Sequence, residues 1–179
     1  MQNAKIIIRA LHFKRNASCF HNMEVDATDF NERKEKARTI YNAQRSIHNP
    51  YLKSWVIFNS DGFHHLQFSA RRERNKKEQL LKFSLLPWAI GVIKNSGTLQ
   101  QHKKELMSVG KRGKDGFAPT KTVEYWGFIA IVGKAKVTIK VVLRRIGDGN
   151  ITFLSVMPFL KLGGGQKFYG DGLEEPENV

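Results

Sequence analysis

The sequence predicts an α+β fold in which helices pack on a bent antiparallel β-sheet ending in a C-terminal β-meander. Three observations carry this expectation. Residues 122–132, 135–145 and 150–158 are strand-like runs joined by tight Gly133-Lys134 and Gly147-Asp148-Gly149-Asn150 turns, and connections that short require antiparallel neighbours. Residues 29–47 and 73–94 repeat apolar side chains at helical spacing. Of the 179 residues, 41% are hydrophobic and 11% aromatic, enough for the core of a single domain.

Residues 1–29 read as an N-terminal accessory segment in which Ile6, Ile7 and Ile8 suit a short strand. Asp29 can cap the first helix, whose apolar stripe is Phe30, Ala37, Ile40, Tyr41 and Gln44. Asn49-Pro50 ends that helix, because a proline pushes the residue before it out of the helical region. Residues 55–58 form a strand, Asn59-Ser60-Asp61-Gly62 is a tight turn, and residues 63–68 return as the second strand of a hairpin. The second helix presents Leu80, Leu81, Phe83, Leu85, Trp88, Ala89 and Val92, with Pro87 expected to break or kink it. Residues 95–121 are polar and basic with Gly110, Gly113 and Gly116 among them, and read as a functional loop with a short helix near residues 99–107. In the middle meander strand Val137, Ile139, Val141 and Leu143 face one way, while Thr138, Lys140, Val142 and Arg144 face the other. One face should therefore pack on the helices and the other carry bases. The α+β domain spans residues 30–162, and the Gly-rich, then acidic, segment 163–179 reads as a disordered tail.

The formal charge is +14, from 30 bases against 16 acids. Setting aside the late acids Asp171, Glu174, Glu175 and Glu177 raises it by four, to +18. That excess calls for a polyanionic partner, nucleic acid or an anionic membrane surface. The single cysteine, Cys19, excludes an intramolecular disulfide framework and any Cys-rich zinc module. The apolar runs fall short of a membrane span, and the brief one at Ile6–Ile8 has bases on both sides, unlike a leader. A cytoplasmic site of action, with no membrane partner, is the expectation.

Chemistry concentrates in residues 62–89, where His64 and His65 precede five bases in seven residues: Arg71, Arg72, Arg74, Lys76 and Lys77. Imidazole moves protons near neutral pH, and guanidinium and ammonium groups pair with phosphate oxygens. As neighbours on a strand, His64 and His65 would point to opposite faces, so only one shares the basic face with Lys140 and Arg144. Bases at a helix start oppose the helix dipole unless a phosphate binds there and reverses the sign. A solvated charge run is the plainer reading of the same cluster. Lys82 lies two turns beyond Arg74, and Arg145, Thr152 and Ser155 add a base and two hydroxyls on the last strands. Tyr125, Trp126 and Phe128 can stack on bases, or simply fill the core. No HxH, HExxH or carboxylate cluster supports a metal, and no GxGxxG or GxxxxGK loop supports a nucleotide, so no cofactor is expected.

At these residues the chain resembles the phage-associated nucleases of the barnase–EndoU–colicin E5/D–RelE (BECR) group. The resemblance rests on Phe63, His65 and Leu66, then Arg74, Glu78, Gln79 and Lys82, then Leu85, Leu86, Pro87, Trp88 and Ala89. Further along, residues 139–145, the Gly147–Asn150 turn and Thr152, Phe153, Leu154 and Ser155 are similar too. Two positions depart from the family's pattern: Thr152 stands where a histidine is common, and Lys82 where an arginine is. The resemblance implies a metal-independent endoribonuclease, a toxin or mobile-element effector. Its RNA 2′-hydroxyl would attack the adjacent phosphorus to leave a 2′,3′-cyclic phosphate. His65, Arg74, Lys82 and Ser155 would be catalytic. His64, Arg71, Arg72, Lys140, Arg144, Arg145 and Thr152 would bind RNA, tRNA among the substrates, and an acidic inhibitor or immunity protein would be a partner. The other reading is a non-catalytic, basic nucleic-acid-binding protein of a phage or mobile element.

Overall fold

The computed structural model describes residues 26–69, 72–114 and 116–159. The accessory segment before residue 26, the tail over 163–179 and Arg71 lie outside them. Three helices pack against a six-stranded sheet, an α+β architecture. Helix α1, Ala27–Asn42, is capped by the Asp26 side chain, which accepts from the Thr28 amide. Asp29, the expected cap, lies in the first turn and ion-pairs with Arg33 at 2.8 Å. Phe30, Ala37 and Tyr41 form its buried stripe. The helix stops before residue 47, because Ser46–Asn49 is strand β1, antiparallel to β2, Ser54–Ile57. The hairpin thus uses residues before Trp55, not those after it.

Residues expected to return as a strand form helix α2, Ser60–Gln67. The Asn59 side chain accepts from the Gly62 amide as an N-cap, and Phe63, Leu66 and Gln67 are buried at spacings of three and four. Helix α3, Lys76–Asn95, is capped by Asn75, which accepts from the Glu78 amide. It runs through Pro87, which lies exposed between buried Leu86 and Ala89, so apolar contacts on both sides hold the helix together. The expected loop over 95–121 contains strand β3, Gln101–Ser108, instead of a short helix. The meander follows as β4, Thr120–Val132, β5, Val137–Ile146, and β6, Ile151–Pro158.

The strand order is β1-β2-β6-β5-β4-β3, with β2 parallel to β6 and every other pair antiparallel, so the sheet is mixed. β2 pairs with β6 only at Val56↔Ile151 and Ile57↔Thr152. Beyond that point α2 packs against β6. The approach is close: any side chain at Gly62 would collide with the Tyr41 hydroxyl and the Phe153 carbonyl. On the helix side, Val56, Phe128, Ile139, Val141, Leu143 and Phe153 pack with Phe83, Leu86, Ala89 and Ile93. A second cluster of Val123, Tyr125, Val142, Leu154 and Met157 lies on the opposite face, as the alternation along β5 requires. No described helix is long and apolar enough to cross a membrane.

Candidate active site at the junction of α2 and the sheet

Strand pairing lays a row of side chains across the face opposite the helices. Ile57 is level with Thr152, Thr152 with Arg144, Arg144 with Tyr125, and Tyr125 with Lys103. Helix α2 overhangs one end of this row. Asp61 and His65 are four residues apart and share a helix face. The Asp61 carboxylate accepts from the Arg144 guanidinium at 2.7 Å. The Thr152 hydroxyl donates to the Arg144 carbonyl at 3.0 Å. Arg144 Nε is buried and has no acceptor among the described residues.

His65 is half-buried, one helical turn from the Asp61 carboxylate that holds that guanidinium. Burial lowers its pKa from the usual histidine value, the charge of Arg144 lowers it further, and His64 and Arg74 add to the effect against the opposing pull of Asp61. The balance favours the neutral imidazole, the form that can accept a proton. His64 is exposed and stacks on Phe68, ring centroids 4.3 Å apart at 11°. On a helix the two imidazoles are adjacent, centroids 6.4 Å apart, and not on opposite faces as a strand would place them. No family model, curated protein or solved structure matches this chain.

The other expected residues have different partners. Arg74, 8% exposed, donates from Nε to the His65 carbonyl at 3.4 Å and from its amide to the Gln67 carbonyl at 2.9 Å, clamping the end of α2. The Gln79 side chain in turn donates to the Arg74 carbonyl at 2.8 Å. Lys82 and Ser155 do meet, but as a buried pair behind the row: Lys82 Nζ donates to Ser155 Oγ at 3.0 Å and to the Val156 carbonyl at 3.1 Å. Arg72 serves its own loop, donating to the Glu73 carbonyl at 3.2 Å and lying 3.7 Å from the Glu78 carboxylate.

Lys140 shares the face of Arg144, four residues and about 13 Å along β5. It is 5% exposed and passes over Gly127, whose missing side chain makes the room. No described residue hydrogen-bonds or ion-pairs with its ammonium, and burial lowers its pKa. Arg145 points the opposite way, to Glu124 and over the Trp126 ring at 5.5 Å, so it belongs to a separate cluster with His102. Burial would raise the Glu124 pKa, but hydrogen bonds from Arg145 and His102 outweigh it and hold the carboxyl below the usual range. Trp126 and Phe128 lie in the helix-side core, and Tyr125 is buried in the row with its hydroxyl 3.5 Å from Met107 sulfur. None of the three offers an open stacking face. Asp61 is the site residue that sequence reasoning missed. Its signal was an Asn59 cap followed by an aspartate four residues before His65, a spacing that matters only on a helix.

Proposed function

We propose that this chain is an endoribonuclease that needs no metal, of the BECR kind, acting as a toxin or mobile-element effector in the cytoplasm of its target. One juxtaposition supports the reading: a half-buried imidazole with a lowered pKa stands one helical turn from Asp61, the carboxylate that Arg144 ion-pairs across 83 residues. Neutral His65 takes the proton of an RNA 2′-hydroxyl. The freed oxygen attacks the adjacent phosphorus, the bond to the 5′-oxygen breaks, and the imidazolium or a water returns a proton to that leaving oxygen. The products are a 2′,3′-cyclic phosphate and a 5′-hydroxyl. Arg144 stabilises the charge that builds on the phosphorane oxygens, the kind of interaction that supplies the largest share of such catalysis. Arg74 positions His65 through its carbonyl, and the Lys82–Ser155 pair braces α3 against β6. Lys140, His64, the loop arginines and the basic hairpin of β3 and β4 hold the RNA backbone, tRNA included. An acidic inhibitor protein would complement the same surface.

The test is cleavage of single-stranded RNA in EDTA, with DNA as control. His65→Ala should lower the rate by about 10²–10⁴ while leaving RNA affinity unchanged. Loss of cleavage in chelator, or equal cutting of DNA, defeats the mechanism. A second reading, a nucleic-acid binder without chemistry, has one observation in its favour. The Thr152 hydroxyl is tied to the Arg144 carbonyl, so it supplies no free proton-transfer partner to His65. Under that reading RNA stays intact and His65→Ala changes nothing.

A further inference from the structure

Trp55 is 60% exposed. It stands on β2 opposite His48 of β1, and the two rings meet edge-on with centroids 5.6 Å apart at 74°. The sheet decides which way the indole points. Ile57 is level with Thr152 and Thr152 with Arg144, and Trp55 lies two residues from Ile57 on the same strand. All four therefore share one face of the sheet. Two strand spacings and two residues separate the backbones of Trp55 and Arg144, about 12 Å in all. That is the reach of a neighbouring nucleotide, not of the phosphate at Arg144 itself.

A lone exposed tryptophan carries no meaning by itself. This one is braced by a second ring on a paired hairpin, beside a row carrying Arg144 and Lys103. We infer that Trp55, backed by His48, is a stacking platform for an unpaired nucleobase next to the phosphate held at Arg144. The substrate class is thereby narrowed to single-stranded RNA, because bases inside a duplex are already stacked and cannot lie on an indole. The inference rests on the ribonuclease reading, from which it takes the phosphate at Arg144.

The experiment measures binding of a short 2′-O-methylated single strand, which lacks the nucleophilic hydroxyl, and of the same strand with its bases removed. Trp55→Ala should weaken binding of the intact strand by about tenfold, within a range of roughly fivefold to a hundredfold. Trp55→Phe should retain most of the affinity, and the abasic strand should not distinguish Trp55→Ala from the unaltered protein. Arg144→Ala, a phosphate contact, should weaken both strands alike. Unchanged affinity of Trp55→Ala for the intact strand overturns the platform and leaves the ribonuclease reading standing. An equal loss on the abasic strand, or a self-association that depends on Trp55 with RNA affinity unchanged, overturns it too. If the unaltered protein binds no RNA, the ribonuclease reading falls and takes the platform with it.

Discussion

Replacing Arg144 by alanine separates a catalytic role from a structural one, because the two predict losses of different size. The stabilising contact at risk is the ion pair with Asp61, in which the carboxylate side chain is 60% exposed and the arginine side chain 16%. Exposed pairs contribute about 0–1 kcal/mol. The hydrogen bond from Thr152 goes to the Arg144 backbone, so the substitution leaves it in place. With the packing of the arginine's largely buried stem added, unfolding stability should fall by about 1–2 kcal/mol. Removing a preorganised donor from a developing oxyanion lowers turnover by about 10²–10³, equivalent to roughly 2.7–4 kcal/mol of transition-state stabilisation. Single-turnover cleavage of a short RNA in EDTA, beside a urea titration of the same samples, reads both quantities. Nuclear magnetic resonance titration of His65 adds a third. The Arg144 charge lowers the pKa of that imidazole, so the substitution should move it upward. Cleavage that falls no more than the stability does, or an imidazole that titrates unchanged, refutes the placement of Arg144 beside the reacting group.

The lowered pKa of His65 also sets the pH response, since a general base works only while neutral. The acidic limb of kcat/KM should lie below the ordinary histidine value near 6.5, and Asp61→Asn, by removing the one charge that raises the pKa, should move it lower still. The same shift links to stability. Its contribution is complete above the unfolded value near 6.5 and is lost as pH falls through the lower folded value, because the unfolded chain binds the proton more readily. Urea midpoints measured across that window check the sign. Gly62→Ala should destabilise the fold by about 1–3 kcal/mol or more, since the new methyl meets the Phe153 backbone, and cleavage should drop as α2 is pushed from β6. Lys140→Met should raise the urea midpoint, by on the order of 1 kcal/mol, because it removes the charge from a largely buried side chain with no described partner. The same variant should bind RNA more weakly in a salt titration, a gain in stability set against function.

The meander and α3 were legible in the sequence because their signals are local and redundant. Tight glycine turns separate β4, β5 and β6, and alternation along β5 sorted Ile139, Val141 and Leu143 from Val142 and Arg144. What was misread had signals that compete. Phe63-His64-His65-Leu66-Gln67-Phe68 suits a strand by its ends, but the Asn59 cap and the spacing of Phe63, Leu66 and Gln67 favour a helix, and the packing against Tyr41 and Phe153 decides it. β3 looked like a loop because it is an edge strand, and edge strands carry charge that a central strand would not tolerate. β1 has only four residues, too few to show any periodicity. The site was half legible for the same reason. His65 and Arg144 were named, yet their meeting depends on α2, and the separation of Arg145 from Arg144 follows from simple alternation along the strand.

Asp61 and Arg144 stand 83 residues apart, and the strand that seats α2 is the last of the described sheet. A chain emerging from the ribosome builds its earlier elements first, and so carries α2 long before it has anything to lie against. Distant pairings of this kind also form late in refolding. Whatever this surface does, a half-made copy cannot do it: the working groups are brought to face one another only when the final strand docks.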